Sequence, residues 1–201
     1  MLRRDLKTLK QTAGELLALA EQYKATYWAL WARSMLGWIK AQEGNAEAGL
    51  QQMSQSTVEL QQQKANLWIP QSLLLQAEIL GRTKQFQTAY QLLDEAQALV
   101  EQYDQRFYEA ELHRVRGAVM FSERGDLKLA TLNFDRAIEV ARRQSSKFLE
   151  LRATVDKARL LRARDATKAA RDLLAPVCES FSEGLDTVDL VEARTLLNEL
   201  S

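Results

Sequence analysis

One spacing constrains this chain more than any other feature. Small residues recur at Gly37, Ala77, Ala118 and Ala158, in steps of 40, 41 and 40. Twelve positions after each stands a second small residue: Gly49, Ala89, Ala130 and Ala170. Four further on come Met53, Leu93, Phe134 and Leu174, all large and apolar; three more give Ser56, Ala96, Ala137 and Val177. Self-similarity at a fixed period marks a repeat architecture. Two small residues separated by a turn let a pair of helices approach closely, and the large residue fills the space beside them.

The residues between these landmarks favour helix throughout. Ala, Leu, Gln, Glu, Lys and Arg dominate, and all are good helix formers. Apolar positions follow the helical period, as in Leu92, Leu93, Ala96, Leu99 and Val100. No run of alternating β-branched residues reads as a strand. Two Pro and eight Gly in 201 residues are too few for a loop-rich all-β chain. The breaks are short: Gly44-Asn45, Lys84-Gln85, Gly125-Asp126 and Asp165-Ala166. Asn45 and Asp126 are suited to cap the helix that follows each of them.

The expected fold is therefore all-α, a superhelical solenoid of antiparallel helix hairpins in one domain spanning residues 1–201. The hairpins are expected at 26–66, 67–106, 107–146 and 147–185. Residues 2–24 read as a lone amphipathic helix of an incomplete repeat. Residues 187–200 read as a capping helix, N-capped by Asp186, with Leu190, Ala193, Leu196 and Leu197 inward. The lone first helix suggests either a piece of a longer solenoid or self-association through helix 2–24.

The small–turn–small–large–small pattern resembles that of tetratricopeptide (TPR) repeats, with a period about six longer than the usual ~34. Residues 107–124 (FYEAELHRVRGAVMFSER) and 172–200 (DLLAPVCESFSEGLDTVDLVEARTLLNEL) carry a closer resemblance. They are similar to the C-terminal TPR region of large bacterial STAND-type signalling ATPases, often fused to adenylate or guanylate cyclase domains. Residues 27–53 and Arg3-Arg4-Asp5 fit the same region. Its most specific pieces are Ala110-Glu111-Leu112-His113-Arg114, Leu174-Ala175-Pro176 and Glu183 through Thr187. Cys178-Glu179-Ser180 departs from the family, which carries an aromatic pair there. The resemblance implies a regulatory or sensing scaffold, with the nucleotide-binding and cyclase modules lying upstream.

Catalytic motifs do not surface. Neither Gly-x4-Gly-Lys-Ser/Thr nor Gly-x-Gly-x-x-Gly occurs, and Gly-x-Ser-x-Gly is missing too. One Cys and one His exclude a disulfide within the chain and clustered Cys or paired-His metal motifs. His113 reads as a structural histidine, because Glu109 and Glu111, two residues apart, point to different helix faces and no triad is evident. Cys178 reads as a small buried hydrophobe. Pairs such as Asp94-Glu95 diverge on a helix and suit solvated faces. Neither enzyme activity nor a cofactor is expected.

What remains is a binding surface. In such a solenoid the first helix of each hairpin, here called A-type, lines the concave side, and the second, B-type, lies outside it. Counting from the small residue, the groove is expected to expose Trp31, Ser34, Trp38 and Ala41, then Gln71, Leu74, Glu78 and Gly81. The third hairpin adds Leu112, Val115, Val119 and Ser122; the fourth adds Arg152, Val155, Arg159 and Arg162. Tryptophans are typical anchors, and arginines hold carboxylates bidentately. The groove thus suits a protein or peptide segment of amphipathic or acidic character; the alternative is that the tryptophans pack against helix 2–24 as core and the arginines are solvated. A competing expectation is an effector-sensing pocket near Trp31, Trp38 and Leu74.

Charge sharpens this. The whole chain balances 27 Lys+Arg against 27 Asp+Glu, yet residues 142–171 hold ten basic residues and three acids. Nucleic acid is disfavoured there, since the stretch lacks interleaved aromatics and a helix-turn-helix. The longest apolar run falls short of the roughly 20 residues a membrane span needs. Met1-Leu2-Arg3-Arg4 is followed by Asp5, Lys7 and Lys10 rather than an apolar signal core. The expected place is the cytoplasm, as an interaction scaffold.

Overall fold

A computed structural model describes residues 5–200, so the reading of Met1-Leu2-Arg3-Arg4 and the start of the expected first helix lie outside the described residues. Among them the protein is all-helical. Ten α-helices follow in order: α1 (Leu6–Gln22), α2 (Thr26–Gln42), α3 (Ala46–Gln62), α4 (Ile69–Arg82), α5 (Phe86–Gln102), α6 (Glu109–Glu123), α7 (Leu127–Arg143), α8 (Lys147–Arg162), α9 (Thr167–Glu179) and α10 (Val188–Glu199). Short 3-10 turns, Asn66–Trp68 and Arg106–Tyr108, precede α4 and α6. Four antiparallel pairs result, α2/α3, α4/α5, α6/α7 and α8/α9, so the chain is an all-α helical repeat. It forms two compact units, one spanning Leu6–Tyr108 and one holding residues 109–200.

The regularity is set at the helix ends. Lys24, Gly44, Lys64, Lys84, Asp104, Arg124, Ser145 and Asp165 all have positive φ, at intervals of 20 or 21 residues. After each, the next amide donates back to the carbonyl five residues earlier. Asn45 N–H reaches Lys40 O at 3.1 Å, Gln85 N–H reaches Leu80 O at 2.8 Å and Ala166 N–H reaches Leu161 O at 3.0 Å. This left-handed cap satisfies carbonyls that the helix itself leaves open, and it reverses the chain within three or four residues. The following helices start as expected at two places. Asn45 Oδ1 accepts from Ala48 N–H, and Asp126 Oδ1 accepts from Lys128 and Leu129 N–H. Asp186 does not cap α10: Thr187 takes that position, with its amide and hydroxyl both donating to Gly184 O.

The second-helix landmarks are where their sizes require. Met53, Leu93, Phe134 and Leu174 are fully buried, as are Ala89, Ala130 and Ala170. The first-helix register needs one correction. A Cβ on Gly37 would stand 2.9 Å from Gly49 O and from Met53 Cγ. The residue meeting the matching atoms in the third hairpin is Gly117, whose Cβ would stand 2.8 Å from Phe134 and 3.1 Å from Ala130 O. Gly117, not Ala118, is therefore the close-approach residue, and the extra residue lies in the α6–α7 turn at Gly125. The left-handed caps agree, since Gly44, Lys84, Arg124 and Asp165 each fall seven residues after Gly37, Ala77, Gly117 and Ala158.

Candidate functional site

The corrected register moves the expected A-helix surface of the third hairpin by one residue. It becomes Glu111, Arg114, Ala118 and Phe121 in place of Leu112, Val115, Val119 and Ser122. A helix rotates 100° per residue, so Leu112 and Val115 face the interior and are buried. Burial now repeats from hairpin to hairpin. The position three before the close-approach residue is buried in all four, as Ser34, Leu74, Arg114 and Val155. The position six before it is half-buried in all four, as Trp31, Gln71, Glu111 and Arg152. Ser34, Trp38, Leu74, Leu112 and Val115 thus belong to helix packing and offer nothing to a partner. Gln71, Glu78, Arg152 and Arg159 are half-buried, and Arg162 is exposed.

In the unit spanning Leu6–Tyr108, the buried positions form a polar knot. Ser34 Oγ lies 3.1 Å from Ser72 Oγ, which lies 2.8 Å from Thr57 Oγ1. Gln76 Nε2 donates to both Thr57 Oγ1 and Ser72 Oγ, and Thr57 Oγ1 donates to Met53 O. The knot ties α2, α3 and α4 together with hydroxyls that are fully inside. Beside it, the Trp31 and Trp68 rings meet at 5.8 Å between centroids. The indole N–H groups of Trp31, Trp38 and Trp68 are buried with no hydrogen-bond partner among the described residues.

An aromatic edge runs along the starts of the A-type segments of the same unit. The pairs Tyr27-Trp28, Leu67-Trp68 and Phe107-Tyr108 stand 40 residues apart. One member of each is about half exposed: Trp28 at 47%, Leu67 at 49% and Phe107 at 51%. Tyr108 is buried, and its hydroxyl donates to Leu67 O at 3.0 Å. Gln105 Nε2 reaches Asn66 O at 3.5 Å, so the turn before Tyr108 is laid against the turn before Trp68. Burial, and secondarily the neighbouring Tyr27 phenol, hold the Tyr108 phenol well above the usual tyrosine range. The sequence reading missed this edge, although the 40-residue spacing of the doublets was there to be read.

The second unit carries a charged network across α6, α8 and α10. Arg114 is buried and donates through Nε and Nη2 to both oxygens of Glu111, at 2.9 and 2.7 Å. Its Nη1 donates to Asp156 Oδ2 at 2.7 Å. Arg159 continues from Asp156 Oδ1 at 3.3 Å to Glu192 Oε2 at 3.6 Å. Arg152 joins Glu111 Oε1 at 3.6 Å to Asp189 at 3.3 Å, and Arg162 pairs with Glu199. Positive and negative groups alternate along the whole run. The three arginines expected to await an acidic ligand are therefore met by carboxylates of the same chain. Other members of the basic stretch are met likewise: Arg142 by Glu150, Arg143 by Glu109 and Lys157 by Asp135.

His113 Nδ1 lies 3.4 Å from Asn133 Oδ1, whose amide nitrogen donates to Leu129 O. Burial lowers the His113 pKa, and the Asn133 contact and Glu109 oppose that shift only partly. Cys178 sits in the core with Leu151, Leu174 and Leu196, where burial raises its thiol pKa. A cavity of about 160 Å³ opens among α1, α2 and α3, lined by Glu21, Lys24, Arg33 and Glu59 around Ala20, Thr26, Ala29 and Leu30. Trp31, Trp38 and Leu74, the expected effector pocket, do not line it. No group of metal-binding side chains gathers among the described residues, and no helix there is long and apolar enough to cross a membrane.

Fold and surfaces together define an all-α helical-repeat protein of paired helices, with an aromatic edge in one unit and an ion network in the other. No protein-family model matches the chain, and no curated protein does.

Proposed function

We propose that this protein is a non-catalytic, TPR-like interaction scaffold that holds a segment of another protein. The observation that carries this is the aromatic edge. Trp28, Leu67 and Phe107 are large and apolar, half open to solvent, and stand at the starts of three successive hairpins, Trp28 one position later in its doublet than the other two. Single exposed apolar residues are common, whereas aligned rows of them mark interaction surfaces. Fixed backbone holds the row, so binding needs little ordering of the scaffold. A pull-down from lysate of the source cells tests it, comparing the unaltered chain with a Trp28→Glu/Phe107→Glu variant. A protein retained by the first and lost by the second is expected; equal retention, or none by either, overturns the reading.

The resemblance of residues 107–124 and 172–200 to signalling ATPases supports a regulatory place beside an ATPase or cyclase module. An unrelated reading frame upstream of Met1 would remove that support. A cytoplasmic setting fits Cys178, a lone buried thiol.

A further inference from the structure

We propose that the α8–α9 surface is a receptor site for an acidic amphipathic helix, held in this structure by the chain's own α10. The proposal deepens the scaffold reading by naming a second contact face and the chemistry of its ligand. Helix α10 lies parallel to α8, and their charges match in spacing at the two ends. Arg152 and Arg162 are ten residues apart, as are their partners Asp189 and Glu199, with Arg159 on Glu192 between them. Leu190, Ala193, Leu196 and Leu200 enter the core beside Leu151, Ala158, Leu174 and Val177. The ligand read from this template presents carboxylates at i, i+3 and i+10, and apolar anchors at i+1, i+4, i+7 and i+11.

Two features make α10 separable from the hairpins. It follows residues 180–187, an eight-residue connection, where no other helical segment is separated from the one before it by more than four residues. Its charged contacts are uneven: Asp189 is buried, whereas the Arg159–Glu192 and Arg162–Glu199 pairs sit at the half-exposed rim. Rim pairs set register while adding little affinity. A tethered helix also competes at a high effective concentration, so the site stays filled until a stronger helix arrives.

The test uses the full chain with a protease site inserted between Ser182 and Glu183, cleaved after folding, and a fluorescent peptide of residues 185–201. Exchange of the labelled peptide into the nicked protein is expected, with at least tenfold weaker capture by the uncleaved protein. A peptide carrying Asp189→Asn, Glu192→Gln and Glu199→Gln is expected to compete at least tenfold less well. A second arm uses uncleaved Leu190→Asp, which should capture the labelled peptide while far-UV circular dichroism shows the remaining helices intact. Failure to exchange in both arms, or equal competition by the neutral peptide, overturns the proposal and makes α10 an integral cap. Concentration-dependent dimers of the uncleaved chain that hold α10 reciprocally would assign the site to a second copy, overturning the partner claim. The aromatic-edge pull-down does not depend on any of these results.

Discussion

At the residue scale, two buried threonines separate a polar group that is used from one that is not. Thr57 Oγ1 is linked to Met53 O, Ser72 and Gln76. Thr154 Oγ1 is equally enclosed and has no partner among the described residues. An unmade hydrogen bond leaves the desolvation cost of the hydroxyl uncompensated, about 1–3 kcal/mol. Thr154→Val is therefore expected to raise unfolding free energy by about 1 kcal/mol. Thr57→Val is expected to lower it by about 1–3 kcal/mol, because Ser72 and Gln76 lose their partner. Urea denaturation followed by circular dichroism measures both. The sequence showed that Ser34 stands on an A-type helix, but not that Ser72 lies opposite. The knot was illegible because each member is an uncharged polar residue with no local signal.

At the element scale, glycine has opposite meanings on two helices. Gly49 lies where a Cβ would stand 2.5 Å from Gly37 O and 2.8 Å from Ala41. Both obstacles belong to a packed neighbouring helix, so they cannot swing aside. Gly14 on α1 has open space where its Cβ would go. Gly14→Ala is expected to stabilise by about 1 kcal/mol through helix propensity alone. Gly49→Ala is expected to destabilise by about 1–3 kcal/mol through overpacking, despite the same propensity gain. Thermal melts of the two variants check the sign. Helix pairs, turns and the buried second-helix landmarks were all legible, because they follow from local period and size. The third hairpin was read one residue out, since Gly117 and Ala118 are both small and only the contact with Phe134 distinguishes them. That slip turned the face reading to Leu112 and Val115 and hid Glu111 and Arg114.

At the scale of the whole molecule, the balance of 27 positive and 27 negative side chains has a structural counterpart in the second unit. Within the basic stretch, Arg152, Arg159 and Arg162 do not stand as uncompensated cations, because Glu111, Asp156, Asp189, Glu192 and Glu199 are brought onto them. Arg114 is the buried centre of that arrangement, holding two carboxylates at once. Removing one partner of a buried ion pair strands the other, at about 3–5 kcal/mol. Glu111 keeps Arg152 and Asp156 keeps Arg159, so Arg114→Ala is expected to destabilise by about 3 kcal/mol, the low end of that range, and Arg114→Ala/Glu111→Ala/Asp156→Ala by distinctly less. A larger loss in the triple variant than in the single one would show that the network stabilises through net attraction instead. Chemical denaturation of both variants decides between them.

The sequence by itself determined the helices, their pairing and the 40-residue period, because these rest on local propensity, capping and the size of residues a few turns apart. Tertiary structure alone decided which A-helix residues meet one another. A one-residue rotation, set by contacts between helices far apart in sequence, sends Leu112 and Val115 inward and Arg114 to its carboxylates. Likewise, the identity of the ligand on the arginines of α8 was settled by where the chain folds α10. Side-chain charge is written in the sequence, but its partner is chosen by distance in space.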